Sequence, residues 1–179
     1  EFHDRDPGNR SLWRMNRRRL EVEPWRDAVL AVSGQLDRST GGSSSELNGG
    51  HRRRTLYGYI SRHRLDDLLR LFDFPDPNIT AGERSVTTVP LQQLFVLNSE
   101  FMVSQAKSLA ARLNKEEPTD IGQIDRCFAL LYGRSPDNEE RTAAVVFLDS
   151  AVPEEGDVLT PLEQFCLAML GTNEFAYID

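Results

Sequence analysis

The chain has 179 residues, a formal net charge of −7, 39% hydrophobic residues and 27% charged residues. That is enough for one domain with an ordinary buried core. No apolar run approaches the roughly 20 residues of a membrane helix, and the acidic balance argues against broad nucleic-acid binding, which needs a basic face.

The charge is uneven along the chain. Residues 1–70 hold 14 arginines against 10 acidic residues, whereas residues 71–179 hold 7 basic against 18 acidic. Arginine supplies 19 of the 21 basic residues. Its forked guanidinium suits ion pairs with carboxylates, although GC-rich coding explains the bias equally well. The opening, Glu1-Phe2-His3-Asp4, shows neither an initiator Met nor a signal peptide, and reads as a fragment or a processed product.

Residues 1–21 read as an Arg-rich, partly disordered lead-in, and residues 22–179 as a single helical domain. Ser11 to Arg19 sets Leu12, Trp13 and Met15 among four arginines. The favoured reading is a packed segment whose arginines pair with acids; the other is an anion or nucleic-acid patch. Pro24 to Leu36 has helical spacing, with Pro24 at a first helical position. Residues 39–50 form a flexible Gly/Ser loop that matches no phosphate-cradling pattern. Thr55 to Ser61 is rich in aromatic and β-branched residues and predicts a short strand. It places Leu56, Gly58 and Ile60 on one side. Leu65, Leu68, Leu69 and Phe72 predict a short helix.

Asp73 to Val89 is a polar loop stiffened by Pro75 and Pro77. Asp73, Asp76 and Asn78 supply oxygen acceptors that a calcium ion could use, but their spacing is not that of an EF-hand, and no metal site is assigned. Asn78-Ile79-Thr80 matches the N-glycosylation sequon. Thr88 is placed as a helix cap with Pro90 in the first turn. One long amphipathic helix then runs to Leu113, with Leu91, Leu94, Phe95, Asn98, Phe101, Gln105 and Leu109 on one broad face.

Ile121, Ile124, Phe128 and Leu131 share a face of the next helix, which Gly133 stops. Ser135-Pro136-Asp137 restarts a helix as cap, first-turn proline and first-turn acid, and its face carries Ala143, Val146, Phe147 and Ser150. The short connection implies an antiparallel hairpin. Thr160-Pro161-Leu162-Glu163 is a capping box, and Phe175 and Tyr177 of the tail are expected to pack. Cys127 and Cys166 fit no haem or zinc spacing and sit at apolar helical positions, which favours two buried thiols over a bridge. The fold expected is mainly α, with five or six helices including the antiparallel hairpin, and one short β-strand or hairpin.

Several segments, in order, carry a family resemblance: Leu12-Trp13-Arg14-Met15-Asn16-Arg17-Arg18-Arg19-Leu20, Arg26-Asp27-Ala28, Val32-Ser33-Gly34, residues 72–78, Thr87-Thr88-Val89-Pro90-Leu91-Gln92, Leu97-Asn98-Ser99, Leu131-Tyr132-Gly133-Arg134-Ser135-Pro136 and Asn173-Glu174-Phe175. Together they resemble the C-terminal part of the planctomycete surface domain, a domain of unknown function. The resemblance implies a longer parent protein and an extracytoplasmic setting at the periplasm or cell surface. It also implies a cytochrome-c-like domain upstream that would carry haem c; no cofactor is expected in this chain. An extracytoplasmic setting makes a Cys127–Cys166 bridge more plausible. The family has no assigned catalytic residues to transfer.

The function expected is therefore a non-catalytic structural or interaction domain of a surface-associated protein. Its partners would be other domains of the parent, or a surface glycan or protein. The alternative is an enzyme or carbohydrate-processing module, with a site at Asp73, Asp76, Asn78, Arg84 and Thr87 beside Gln92 and Gln93 at the helix start. A third reading is nucleic-acid binding through Arg14 to Arg19 and Arg52 to Arg54. The three histidines, His3, His51 and His63, sit in polar or Arg-rich surroundings with no nucleophile placed beside them by sequence.

Overall fold

The structure, a computed structural model, describes residues 2–47, 50–150 and 159–178. Glu1, Asp179 and two residues of the Gly/Ser loop, Asn48 and Gly49, lie outside the described residues. The architecture is mainly α. Among the described residues, six helices have nine or more residues. They are α2 (Val22–Val32), α4 (Pro90–Asn98), α5 (Glu100–Glu116), α6 (Asp120–Tyr132), α7 (Asn138–Ser150) and α8 (Pro161–Leu170). Three short helices, α1 (Phe2–Arg5), α3 (Asp67–Leu71) and α9 (Asn173–Ala176), complete the set.

Helix α5 is the centre of the core. Met102, Ala106, Leu109 and Leu113 are all fully buried and recur at helical spacing. They meet Phe165, Cys166 and Leu170 of α8, and Ile124, Cys127 and Phe128 of α6. Helix α2 closes another side through Val22, Trp25 and Val29. Trp25 stacks on Phe72 at 4.8 Å, and Phe72 meets Phe95 edge-on at 5.7 Å, so the aromatic end of α3 joins α2 to α4.

The expected single helix through residues 88–113 is two helices. Ser99 sits at φ −70° and ψ 143°, outside helical space, and its hydroxyl accepts the Met102 N–H. Apolar spacing does not register such a break, because a serine fits either role. The consequence is a change of face. Helix α4 buries Gln92 and Val96, while Leu91, Leu94 and Leu97 are about half exposed or more. The cap expected at Thr88 is absent as well: the residue flanking α4 is Val89, with no side-chain cap, although Pro90 does hold the first turn. Asn98 is exposed, whereas Gln105 is buried and accepts from Ser33 Oγ at 2.8 Å.

No strand forms at 55–61. Residues Thr55–Tyr57 make one 3₁₀ turn, and Leu56 points to solvent. Two contacts decide this. Asp27 Oδ1 accepts both the Thr55 N–H and its hydroxyl at 2.7 Å, which pins the segment to α2. Gly58 then lies so close to Leu47 that an added Cβ would stand 2.7 Å from its side chain. The described part of the Gly/Ser loop is held by the same neighbours, with Ser45 forming an isolated bridge to Gly58. Among the described residues, the one two-stranded sheet lies elsewhere: β1 (Arg18–Arg19) pairs antiparallel with β2 (Tyr177–Ile178), joining the arginine-rich front to the tail.

Helices α6 and α7 pack as the expected hairpin neighbours. Gly133 ends α6 at φ 69°, a conformation open to glycine. The cap of α7 is Asp137 rather than Ser135. Asp137 accepts the Glu140 N–H at 2.8 Å while Glu140 accepts the Asp137 N–H at 2.8 Å. That start turns the helix so that Ala144 faces the core and Val146 is exposed. The Thr160–Glu163 capping box of α8 forms as its sequence implies. Ile121 and Tyr177, both expected to pack, are exposed by 56% and 37%.

Candidate functional site

The residues singled out by sequence do not form one site. Asp73 and Arg84 line one pocket, Asp76 and Asn78 line another, and Thr87 and Gln92 line neither. The first, about 320 Å³, is lined by Arg18, Arg19, Phe72, Asp73 and Arg84 among others. The second, also about 320 Å³, takes Asp76 and Asn78 together with Arg62, His63, Arg64 and Arg70.

At the first pocket Asp73 stands at φ 61°, the left-handed region that Asp tolerates better than most residues. This turn aims its carboxylate at the far end of the polar loop. Oδ2 accepts the Thr87 N–H at 2.8 Å, and Oδ1 accepts the Thr87 hydroxyl at 2.8 Å. Gln92 is buried and donates to Leu71 O at 2.9 Å, with a longer approach to Asp73 Oδ2 at 3.5 Å. Arg19, which the sequence reading did not place here, donates to Gln92 Oε1 at 3.0 Å and to the Thr87 carbonyl. Its guanidinium also lies over the Phe72 ring. The loop is thus closed by a latch of Asp73, Thr87, Gln92 and Arg19. Gln93 is exposed and takes no part in it.

Arg84 turns to α2 instead. It makes a forked pair with Glu23 at 2.8 and 2.9 Å and a further contact with Glu21 at 3.0 Å. Donating these hydrogen bonds to the Glu23 carboxylate holds the Arg84 proton more tightly than in a free guanidinium, a shift upward from the usual arginine range.

At the second pocket Asp76 Oδ1 accepts the Asn78 N–H at 2.8 Å, forming a local turn. Asn78 Nδ2 donates to Arg62 O at 2.9 Å and to Asp76 Oδ1 at 3.0 Å. The three oxygen-bearing residues considered for calcium therefore do not converge. Among the described residues, no three His, Cys, Asp or Glu side chains gather to hold a metal.

The structure also brings together a pair that sequence spacing does not reveal. Exposed Ser45 Oγ lies 2.8 Å from Nδ1 of buried His51. Burial, with Arg26 and Arg53 nearby, pushes the imidazole below its ordinary value. Buried Arg26 donates to the His51 carbonyl and to Thr55 Oγ1, so this cluster ties the 45–55 segment to α2. Ser45 lines neither of the two pockets described above. Cys127 and Cys166 are free thiols, both fully buried. The hydrogen bond with Cys127, and then burial, push the Cys166 thiol up, against thiolate formation.

A family model, PSD1: protein of unknown function (DUF1553), matches residues 1–148. The match stops short of the Asn173-Glu174-Phe175 stretch that also carried the resemblance. No curated protein and no solved structure matches the chain significantly.

Proposed function

The chain belongs to the PSD1 family, whose function is unknown, and on that premise we propose that it is a non-catalytic structural or interaction domain of a surface-associated protein. One observation carries this reading. The polar side chains that would have to do chemistry are engaged with one another: Asp73 with Thr87, Asp76 with Asn78, and Arg84 with Glu21 and Glu23. Asp73 and Asp76 face different pockets, so they do not converge on one reacting centre. Two carboxylates turned to separate partners do not make an acid–base pair. The wider proposal keeps the extracytoplasmic setting and an upstream haem c domain as context from the family resemblance. Partners in that context are other domains of the parent, or a surface glycan or protein.

The test is the pair Asp73→Asn and Asp76→Asn, compared with the parent chain in thermal unfolding and in hydrolysis assays on polysaccharides. We expect Asp73→Asn to lower the unfolding midpoint and neither change to remove an activity. Loss of a hydrolytic activity in either variant, with the fold intact, would establish the enzyme reading instead.

A further inference from the structure

The second pocket has a composition that the latch does not explain. Arg62 and Arg64 have exposed guanidiniums that meet no partner among the described residues, with His63 between them. Arg70 joins them from α3, and its one ion pair, with Asp67, is solvent-exposed on both sides. Exposed pairs of this kind hold a guanidinium only loosely. Three arginines thus crowd one opening of a chain whose net charge is −7. Like charges at close quarters repel unless an anion enters between them.

The rest of the lining is not that of a bare anion site. Asp76 engages Asn78 through Oδ1, and its Oδ2 has no hydrogen-bond partner among the described residues. Asn78 Oδ1 is likewise open as an acceptor. Leu65 and Phe74 supply an apolar wall. Guanidiniums for an anionic group, carboxylate and amide oxygens for hydroxyl donors, and a flat apolar wall for C–H faces form one recognition set.

We propose that the pocket formed by Arg62, Arg64, Arg70 and the Asp76–Asn78 turn binds an acidic saccharide, a sugar bearing a sulfate or carboxylate group. The forked guanidiniums take the oxyanion through paired, charge-assisted hydrogen bonds. Asp76 Oδ2 and Asn78 Oδ1 accept from ring hydroxyls, and Phe74 and Leu65 cover the sugar's apolar face. A nucleic-acid strand fits less well. It carries a phosphate at each nucleotide and would meet the Asp76 carboxylate inside the pocket and Asp66, Asp67 and Glu46 in the adjoining one. This proposal rests on the reading of the chain as an interaction domain and names the ligand class of one surface.

The experiment is titration calorimetry of the full chain with a sulfated disaccharide, a uronate-containing disaccharide, their uncharged parent, inorganic sulfate and a short single-stranded DNA. The double variant Arg62→Ala/Arg64→Ala is measured beside Arg10→Ala/Arg14→Ala, which removes the same charge elsewhere. Unchanged thermal midpoints confirm folding. At least one acidic disaccharide should bind about tenfold or more tighter than the uncharged sugar and than sulfate. The first double variant should lose about that factor or more, and the second should not. The relative strength of the two acidic sugars separates sulfate from carboxylate recognition. The proposal falls if neither acidic sugar binds more tightly than its controls, if the DNA binds best, or if the two double variants weaken binding equally. Such a failure leaves the interaction-domain reading intact, because that reading is judged by the Asp73 and Asp76 variants.

Discussion

Asp73 closes the polar loop by reaching Thr87, fourteen positions along the chain, and accepting both its N–H and its hydroxyl at 2.8 Å. Both residues lie where sequence reading sought a catalytic site. Together they shape a loop and present its neighbouring pockets.

The latch predicts an order among substitutions. Asp73→Ala should destabilise the chain by about 1–3 kcal/mol, since it removes bonds to a carboxylate and leaves Ala at positive φ. Asp73→Gly loses the same bonds without the backbone strain and should be less damaging than Ala by about 1 kcal/mol. Urea unfolding of the two variants checks the order. Equal losses would show that the left-handed turn contributes nothing.

Leucine positions that look equivalent by spacing should behave differently. Leu109 is fully buried at the α5–α8 contact, whereas Leu94 is 55% exposed on α4. Leu109→Ala is expected to lose about 2–5 kcal/mol, and Leu94→Ala about 0.5 kcal/mol or less. Denaturant midpoints of the two variants decide the matter. A large loss at Leu94 would argue for an unbroken helix through Ser99.

Arg134 joins Glu140 of α7 to Glu174 of α9 through forked hydrogen bonds. Those bonds, with the Asp137 N–H, bring the Glu140 carboxyl down to about 2. A carboxylate depressed in the fold adds stability above its unfolded value, and that stability is lost as pH falls through the folded value. Thermal midpoints should therefore drop between about pH 4.5 and pH 2, and the drop should shrink in Glu140→Gln. An identical acid profile in the variant would rule out this contribution.

His51 acts in a higher pH window with the same sign. Burial lowers its proton affinity in the fold, so the neutral imidazole is the stable form. Its stability is complete above the ordinary value of 6.5 and falls as pH drops below it. Melting between pH 7.5 and 5 should show this decline in the parent chain and a flatter profile in His51→Gln. NMR titration of the ring should give a midpoint below 6.5; one above it would overturn the assignment.

The buried thiols give a chemical check. Cys127 and Cys166 should resist alkylation in the native chain and react once it is unfolded, because both are shut away from reagent and burial further disfavours the Cys166 thiolate. A native mass about two units lower than the reduced mass would instead indicate a bridge.

The mainly helical class, the helices around Ile124 and Phe165, the Gly133 stop and the Thr160–Glu163 capping box were legible in the sequence. They rest on local rules: spacing of apolar side chains, a left-handed glycine, and a hydroxyl three residues before a glutamate. The family, too, was carried by local motifs in order. Tertiary structure alone decided the split at Ser99, the 3₁₀ turn at Thr55–Tyr57, the β1–β2 pairing and the division of Asp73 and Arg84 from Asp76 and Asn78 between two pockets. At Ser99 the serine caps its own following turn; elsewhere the deciding contacts come from far along the chain: Asp27 on Thr55, Arg19 on Gln92, Arg62 on Asn78. The run Arg62-His63-Arg64 is plain in the sequence, but its place opposite Asp76 and Asn78 is not. A short segment with two acceptable local conformations takes the one that its distant partners stabilise, and local pattern carries no information about those partners.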